Sequence, residues 1–460
     1  MLKVSRILLG SSSAELMRDL KRDGWTEERQ RGSHVTFDKP PHQHIVTVPH
    51  PKKDLGRGLE LKIRKEMDCS DRDPRIHMLK VSRILCAFED KDIASHVPPQ
   101  MIKLLDKLNG FGEFYLVGGC IRDILLGRKP KDFDIMVVKP SPSELEKILP
   151  VKQVGAAFPV YLYDSGDPEI GTIEFAYARK EMKQGEGYKG FAVEVVDNVQ
   201  EDLARRDLTV NNIAWSPKTG LVTFGPESLE DMESKTLRHV TDAFADDPVR
   251  VLRACRFSAQ LPGSWKIDSK TLTMMASLKG ELLKEPSDRI RDELTKVLKA
   301  AKPGNFFRNL EKADCLDGWF SELVGRVDPL ANQLDACAKN LDTLSMYCII
   351  AQFMDSDASV ASFCKRIVLG SGDERAMQQW LSITRSPMAS PQDYMRVYEA
   401  GRRGLLTYEH IFKLLGTIGK ESLIPTLKRV ISAVNSLDLA SVAVKSEIPS
   451  MKLKVVADQI

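Results

Sequence analysis

Asp132 and Asp134 are the residues in this chain whose spacing best suits chemistry. They stand at i and i+2 in KDFDIMVV, a stretch that reads as a strand, so both carboxylates point to one face. Carboxylates so placed can hold a pair of Mg²⁺ ions, which activate an attacking oxygen and stabilise a leaving one. Glu174, midway along TIEFAYARKE, offers a third carboxylate; a solvated strand glutamate is the competing reading. Upstream, YLVGGC breaks at Gly118-Gly119. Two glycines permit close backbone approach, so their N–H groups can meet a triphosphate. Arg122 lies between the glycines and the carboxylates.

Two further stretches carry polar groups at useful spacing. EDLARRDLTVNNIAW (201–215) reads as a helix that puts Asp207 and Asn211 on one face at i, i+4, beside Arg205 and Arg206. A plain amphipathic helix with surface ion pairs is the alternative. DDPVRVLRACRF (246–257) reads as a helix capped by Asp246 or Asp247, with Pro248 in its first turn. Asp247 and Arg250 then share a face at i, i+3. A carboxylate accepts from the amino group of cytosine or adenine, and a guanidinium donates to ring nitrogen or carbonyl oxygen. Such a pair imitates a base-pairing edge and refuses uracil and guanine. An ion-paired structural helix is the bland alternative. Arg253 and Arg256 continue a basic stripe along it.

Over about residues 112–325, these motifs in this order resemble the nucleotidyltransferase superfamily. More narrowly, they resemble the class II tRNA nucleotidyltransferase and bacterial poly(A) polymerase family. That resemblance implies metal binding by Asp132 and Asp134 with help from Glu174, and triphosphate contact at Gly118, Gly119 and Arg122. It implies that Arg206 contacts the incoming nucleotide, Asp207 reads its ribose 2′-OH and Asn211 supports the site. Asp247 and Arg250 become the amino-acid template of the EDxxR motif, whose first position here is Asp246 instead of Glu. SDRIRDEL (287–294) resembles the neck-stabilising motif that follows. GAAFPVYL (155–162) and EFAYARKEMKQGEGYKGF (174–191) look like the bacterial CCA-adding branch. The expectation is therefore a Mg²⁺-dependent enzyme that adds C, C and A to tRNA from CTP and ATP. A poly(A) polymerase and a partial, CC- or A-adding enzyme stay open. Related enzymes often carry an HD phosphohydrolase domain, but this chain has no His-Asp dipeptide, and that activity is not expected.

The first 67 residues read separately, in the order α-β-β-β-α. Ser12 or Ser13 caps a helix through Leu16, Met17 and Leu20, and Gly24 ends it. Strands follow at 25–29, 34–37 and 45–48, then a helix at 59–67. With GSHVTF and VTVPHPKKDL, this module resembles the HicA-type toxin family, which implies a double-stranded-RNA-binding-like fold and an RNA-cleaving role for His34. Val35 stands where that family often has a second histidine. An RNA-contacting or structural His34 is the other reading, and with it a toxin-derived regulatory fusion that binds additional RNA. Lys52, Lys53, Arg57, Lys62, Arg64 and Lys65 make a basic end suited to phosphate contact. The octapeptide MLKVSRIL occurs at 1–8 and again at 78–85, which reads as the scar of an insertion, with Met78 an internal start.

The chain as a whole reads as α+β. The layout is module 1–67, linker and lead-in helix 68–110, nucleotidyltransferase head 111–225 with a mixed sheet, helical neck 226–325, and helical, tRNA-binding body and tail 326–460. A net charge of +3 fits a nucleic-acid partner without requiring one. The eight cysteines form no CxxC pair, so no zinc site is signalled and reduced thiols in a cytoplasmic protein are expected. No apolar run approaches the roughly 18 residues of a membrane span.

Overall fold

A computed structural model describes residues 13–22, 25–31, 34–38, 46–49, 90–155, 159–183, 191–225, 227–402, 404–440 and 445–460. The chain divides into two units, Met1–Glu89 and Asp90–Ile460.

In the first unit, α1 (Ser13–Arg22) precedes three strands, β1 (Thr26–Arg31), β2 (His34–Asp38) and β3 (Val46–Pro49). They form an antiparallel sheet in the order β1-β2-β3. Val46 and Val48 alternate with exposed Thr47, so β3 turns one apolar edge inward. That edge joins Leu20, Trp25, Val35 and Phe37 in a small core, with Met17 packed against it. The expected helix at 59–67, the basic cluster from Lys52 to Lys65 and both copies of the octapeptide lie outside the described residues.

The second unit opens with α2 (Asp90–His96) and α3 (Pro99–Leu108). α2 lies within the stretch expected as linker and lead-in helix. Ile93 and Val97, four apart, are both buried, and that spacing gives the segment one apolar face.

The head follows: β4 (Glu113–Val117), α4 (Gly119–Leu125), β5 (Asp134–Lys139), α5 (Pro142–Ile148), β6 (Lys152–Val154), β7 (Val160–Asp164) and β8 (Thr172–Tyr177). Next come β9 (Arg179–Lys183), β10 (Phe191–Val195), α6 (Val199–Ala204), β11 (Ile213–Ser216) and β12 (Gly220–Thr223). Seven strands build a mixed sheet, β12-β11-β4-β5-β8-β7-β6, and β9 pairs with β10 as a separate hairpin. Among the described residues of the seven-stranded sheet, β5 and β8 run parallel and the other neighbouring strands antiparallel. The central strands are apolar at nearly every position because both faces are covered. Tyr115, Val117, Met136 and Val138 pack with Leu203 on one face, and Phe114 meets Phe175 edge-on on the other.

The neck contains α7 (Glu227–Ser234), β13 (Thr236–Leu237), α8 (Arg250–Gln260), β14 (Lys266–Ile267), α9 (Ser269–Ser277), α10 (Lys279–Leu282), α11 (Ser287–Leu298) and α12 (Gly304–Lys312). It is not all helical, as had been expected. β13 and β14 pair in parallel, joining the segments before and after α8.

Among the described residues, eight α-helices follow: α13 (Val327–Cys337), α14 (Thr343–Gln352), α15 (Asp357–Arg366), α16 (Ser371–Arg385), α17 (Pro391–Arg402), α18 (Tyr408–Thr417), α19 (Ile424–Asn435) and α20 (Ile448–Ala457). None of the described helices is long and apolar enough to cross a membrane.

Candidate active site

One cleft of about 1000 Å³ gathers nearly every polar residue singled out in the sequence. Gly118, Gly119, Arg122, Asp132 and Asp134 reach it from the head. Arg206, Asp207 and Asn211 reach it from the segment after α6, and Asp247, Arg250, Arg253 and Arg256 from the neck. His34 belongs to the first unit, where it is an exposed residue at the start of β2.

β5 begins at Asp134, so Asp132 lies in the approach to the strand and not on it. The ladder with β8 sets this limit, since its first residue pair is Asp134 with Glu174. Alternation still holds across the boundary: Asp132 and Asp134 are exposed while Phe133 between them is buried. The register therefore brings Glu174 beside Asp134, although Glu174 is not among the cleft's lining residues. Although the residue as a whole is exposed, desolvation of its carboxyl, then Glu174, push Asp134 up to about 6; Arg206 opposes them and Asp132 adds to the rise. This clustering of oxygen donors suits a hard divalent cation, which one or two carboxylates plus substrate phosphates can hold. Among the described residues, no group of three or more His, Cys, Asp or Glu side chains meets metal-site geometry. Burial and Asp134 push the neighbouring Cys120 thiol up to about 12, so it stays protonated and unreactive.

Gly118 has φ +67°, which favours glycine, and a Cβ there would stand 3.0 Å from Arg206 Nη1. It thus makes the sharp entry from β4 into α4 while leaving room for a guanidinium.

The stretch 201–215 is not one helix. α6 stops at Ala204, a short 3₁₀ turn covers Thr209–Asn211, and β11 starts at Ile213. The intervening residues are drawn off by other partners: Thr209 N–H donates to the Arg238 carbonyl and Thr209 Oγ1 to Asp231 Oδ2. The expected pairing survives nonetheless, because Asn211 Nδ2 donates to Asp207 Oδ1 at 3.0 Å. Asn211 Oδ1 accepts from Arg122 Nη1 at 2.7 Å, tying α4 to this turn. Arg253 Nη2 lies 2.7 Å from Asp207 Oδ2. Burial alone would raise the Asp207 pKa. Arg253, the Asn211 amide and Arg250 together hold it well below the usual carboxylate range.

Asp202 was missed by the sequence reading. It is almost fully buried and grips both arginines of the RRD motif: Arg205 Nη2 at 2.5 Å and Arg206 Nη2 at 2.9 Å. Its spacing to them, i+3 and i+4, is the signal that could have found it.

α8 starts at Arg250 with Val249 at its N-cap position, so neither Asp246 nor Asp247 is the capping residue expected; Asp247 instead braces the turn before the helix, accepting from Val249 N–H through Oδ1 and from Arg250 N–H through its carbonyl. Asp246 instead closes a short 3₁₀ turn. Asp247 Oδ2 is held by Arg289 Nη2 at 2.9 Å, and Arg289 Nη1 by Glu285 at 2.6 Å. Arg250 Nη1 donates to the Ala243 carbonyl at 2.7 Å. Arg256 Nε meets Glu293 at 2.5 Å. Arg289 and Glu293 both come from α11, the SDRIRDEL segment, and both line the cleft. Together with Arg179, Arg205 and Lys296, the cleft presents nine cationic side chains against six carboxylates, a surplus suited to a polyphosphate.

Comparison with known proteins agrees with this build. Residues 114–238 match the family model "Poly A polymerase head domain". Residues 265–325 match "Probable RNA and SrmB- binding site of polymerase A", and residues 13–68 match "HicA toxin of bacterial toxin-antitoxin". A "Multifunctional CCA protein" of Xylella fastidiosa strain M23 is 42% identical over 214 residues, 45% of this chain and 50% of that protein. Its counterpart in Stenotrophomonas maltophilia strain K279a is 40% identical over 216 residues, 46% of this chain and 52% of that protein. The chain thus spans about half the length of the curated relatives it matches. Among solved structures, a CCA-adding enzyme with CTP covers 80% of this chain and 93% of its own, at TM-score 0.59 and 22% identity. The Thermotoga maritima CCA-adding enzyme complexed with tRNA covers 80% and 93%, at 0.58 and 21%. At such identities these likenesses concern the fold.

A mixed sheet, a helical neck and a cationic cleft with carboxylates at the strand start define a polymerase head of the nucleotidyltransferase class. More narrowly, residues 114–238 carry a poly(A) polymerase head domain, residues 265–325 that family's RNA-binding segment, and residues 13–68 a HicA toxin domain.

Proposed function

We propose that this protein adds C, C and A to the 3′ end of tRNA from CTP and ATP, without a nucleic-acid template. The observation that carries the reading is the meeting of three motifs in one cleft: Asp132 and Asp134, Arg206 to Asn211, and Asp247 with Arg250. Asp132 and Asp134 would hold Mg²⁺, with Glu174 beside them. When bound, the metal supplies charge neutralisation at the reacting oxygens. Gly118, Gly119, Arg122 and Arg206 receive the triphosphate, and Asp207 receives the ribose. Asp247 and Arg250 read the base, accepting from its amino group and donating to its ring or carbonyl. The tRNA 3′-hydroxyl oxygen bonds to the α-phosphorus of the nucleotide, the bond to the β-phosphate oxygen breaks, and pyrophosphate departs with a proton released to solvent. Placement and charge complementarity provide most of the acceleration.

The layout into module, linker, head, neck and body, the last holding tRNA by phosphate and shape contacts, belongs to the same reading. So does a cytoplasmic location, in keeping with the free, buried cysteines 120, 255, 315, 337, 348 and 364. The match to a poly(A) polymerase head also favours a second reading, a poly(A) polymerase, and loop behaviour decides between full and partial CCA addition. The experiment is extension of tRNA that ends at the discriminator base, with CTP, ATP or both. Growth by CCA and then arrest supports the reading. Arrest after CC, or a run of A, replaces it with a partial enzyme or a poly(A) polymerase.

The N-terminal unit supports a separate activity. Its three-stranded sheet and its match to HicA toxins favour an RNA-binding, dsRBD-like module in which His34 acts as general acid or base in cleavage through the ribose 2′-OH.

A further inference from the structure

Phe257 lies on α8 with only 6% of its surface exposed, yet three guanidinium groups gather around its ring. Arg256 stands 4.4 Å from the ring centroid, Arg122 5.1 Å and Arg253 5.5 Å. The ring's negative face attracts cations. Arg122 belongs to the head, and Arg253 and Arg256 to the neck. Each is tied on another side as well: Arg122 to Asn211, Arg253 to Asp207 and Arg256 to Glu293. Three like charges so close repel one another, and a shared aromatic ring offsets that repulsion in a way an aliphatic side chain cannot.

Phe257 also occupies a junction. A second cleft, of about 610 Å³, shares Gly119, Arg122, Asp132, Asp134, Phe257 and Lys296 with the first. The ring therefore borders both spaces beside the two carboxylates. Too buried to stack on a base, it can act on a ligand only through the arginines it holds.

We propose that Phe257 is a positioning residue for nucleotide selection. Its ring fixes Arg122 of the head against Arg253 and Arg256 of the neck, and so sets the distance between the phosphate-binding and base-reading halves of the cleft. With that distance fixed, only a base that pairs with Asp247 and Arg250 brings its α-phosphate into place. The proposal rests on the nucleotidyl-transfer reading above.

The test uses the full chain with Phe257→Leu, Phe257→Met and Phe257→Trp. The readout is kcat/KM for CTP relative to UTP, and for ATP relative to GTP, on tRNA substrates. These ratios do not depend on how much of each variant is folded. Leu and Met fill apolar volume without a π face, and each should lower both ratios on the order of tenfold. Trp keeps the face and should preserve them. Two variants without the face are used so that poor folding of one does not end the test. Unchanged ratios in Leu and Met, or a loss in Trp equal to theirs, would overturn the positioning role while leaving the enzyme reading intact. A wild-type protein that does not prefer CTP to UTP would overturn the reading and this proposal together.

Discussion

Asp202 and Asp207 show how much of the cleft's electrostatics rests on buried carboxylates. Burial by itself would raise the Asp202 pKa; Arg206 and Arg205 outweigh it and hold the group ionised. Asp202→Asn leaves both guanidiniums without their anchor. It should cost about 3 kcal/mol of stability, at the low end for a broken buried pair because the arginines are partly solvated, and raise KM for CTP and ATP. Urea denaturation and initial rates check both effects. Asp207 predicts a pH dependence. Its folded-state pKa is depressed, so its stabilisation is fully present above its unfolded value near 4 and is lost as pH falls through the folded value. The stability gap between wild type and Asp207→Asn should thus be widest at neutral pH and narrow below about pH 4. Thermal unfolding across pH 7 to 3 measures it. At this scale the sequence was legible for Asp207 and Asn211, though the equally near pairs of Asp202 with Arg205 and Arg206 went unread. It was opaque where they are distant: Arg253 to Asp207 spans 46 residues, Arg289 to Asp247 spans 42 and Arg256 to Glu293 spans 37. No periodicity announces such pairs.

The elements were legible where one burial pattern repeats. β4 and β5 declare themselves by apolar runs, and α5 by its Ser141–Glu144 cap, in which Ser141 N–H donates to Glu144 at 2.9 Å. The stretch 201–215 misled because a turn and a 3₁₀ segment reproduce the i, i+4 meeting that a helix would give. β13 and β14 escaped notice because two residues are too few to carry a period. Close approaches between elements yield a further expectation. A Cβ on Gly304 would stand 2.3 Å from the Ala331 carbonyl, so α12 can pack on α13 only with glycine there. Gly304→Ala should destabilise by about 1–3 kcal/mol, read as a lower denaturant midpoint. Gly118→Ala combines a disfavoured φ with crowding of Arg206, and should reduce nucleotide addition more than it reduces stability.

Across the whole molecule, the division at residue 89 separates two units with their own cores. A chain of residues 90–460 should therefore fold and retain nucleotide addition. His34→Ala should abolish growth toxicity if the first unit cleaves RNA, with CCA addition untouched; retained toxicity would assign His34 a contacting or structural role. The two-part organisation was legible because motifs of unrelated type fall in separate stretches. The start of the second unit was not, since α2 is a short helix whose apolar face rests on Ile93 and on Val97 just past its end. The central claim is that Asp132 and Asp134 drive template-independent CCA addition. Its most direct test gives the purified chain Mg²⁺, CTP, ATP and tRNA ending at the discriminator base, beside an Asp132→Ala, Asp134→Ala double variant. The account predicts growth by three nucleotides ending in CCA with wild type and none with the variant. Equal extension by both proteins, or shortening of the tRNA by both, would contradict it.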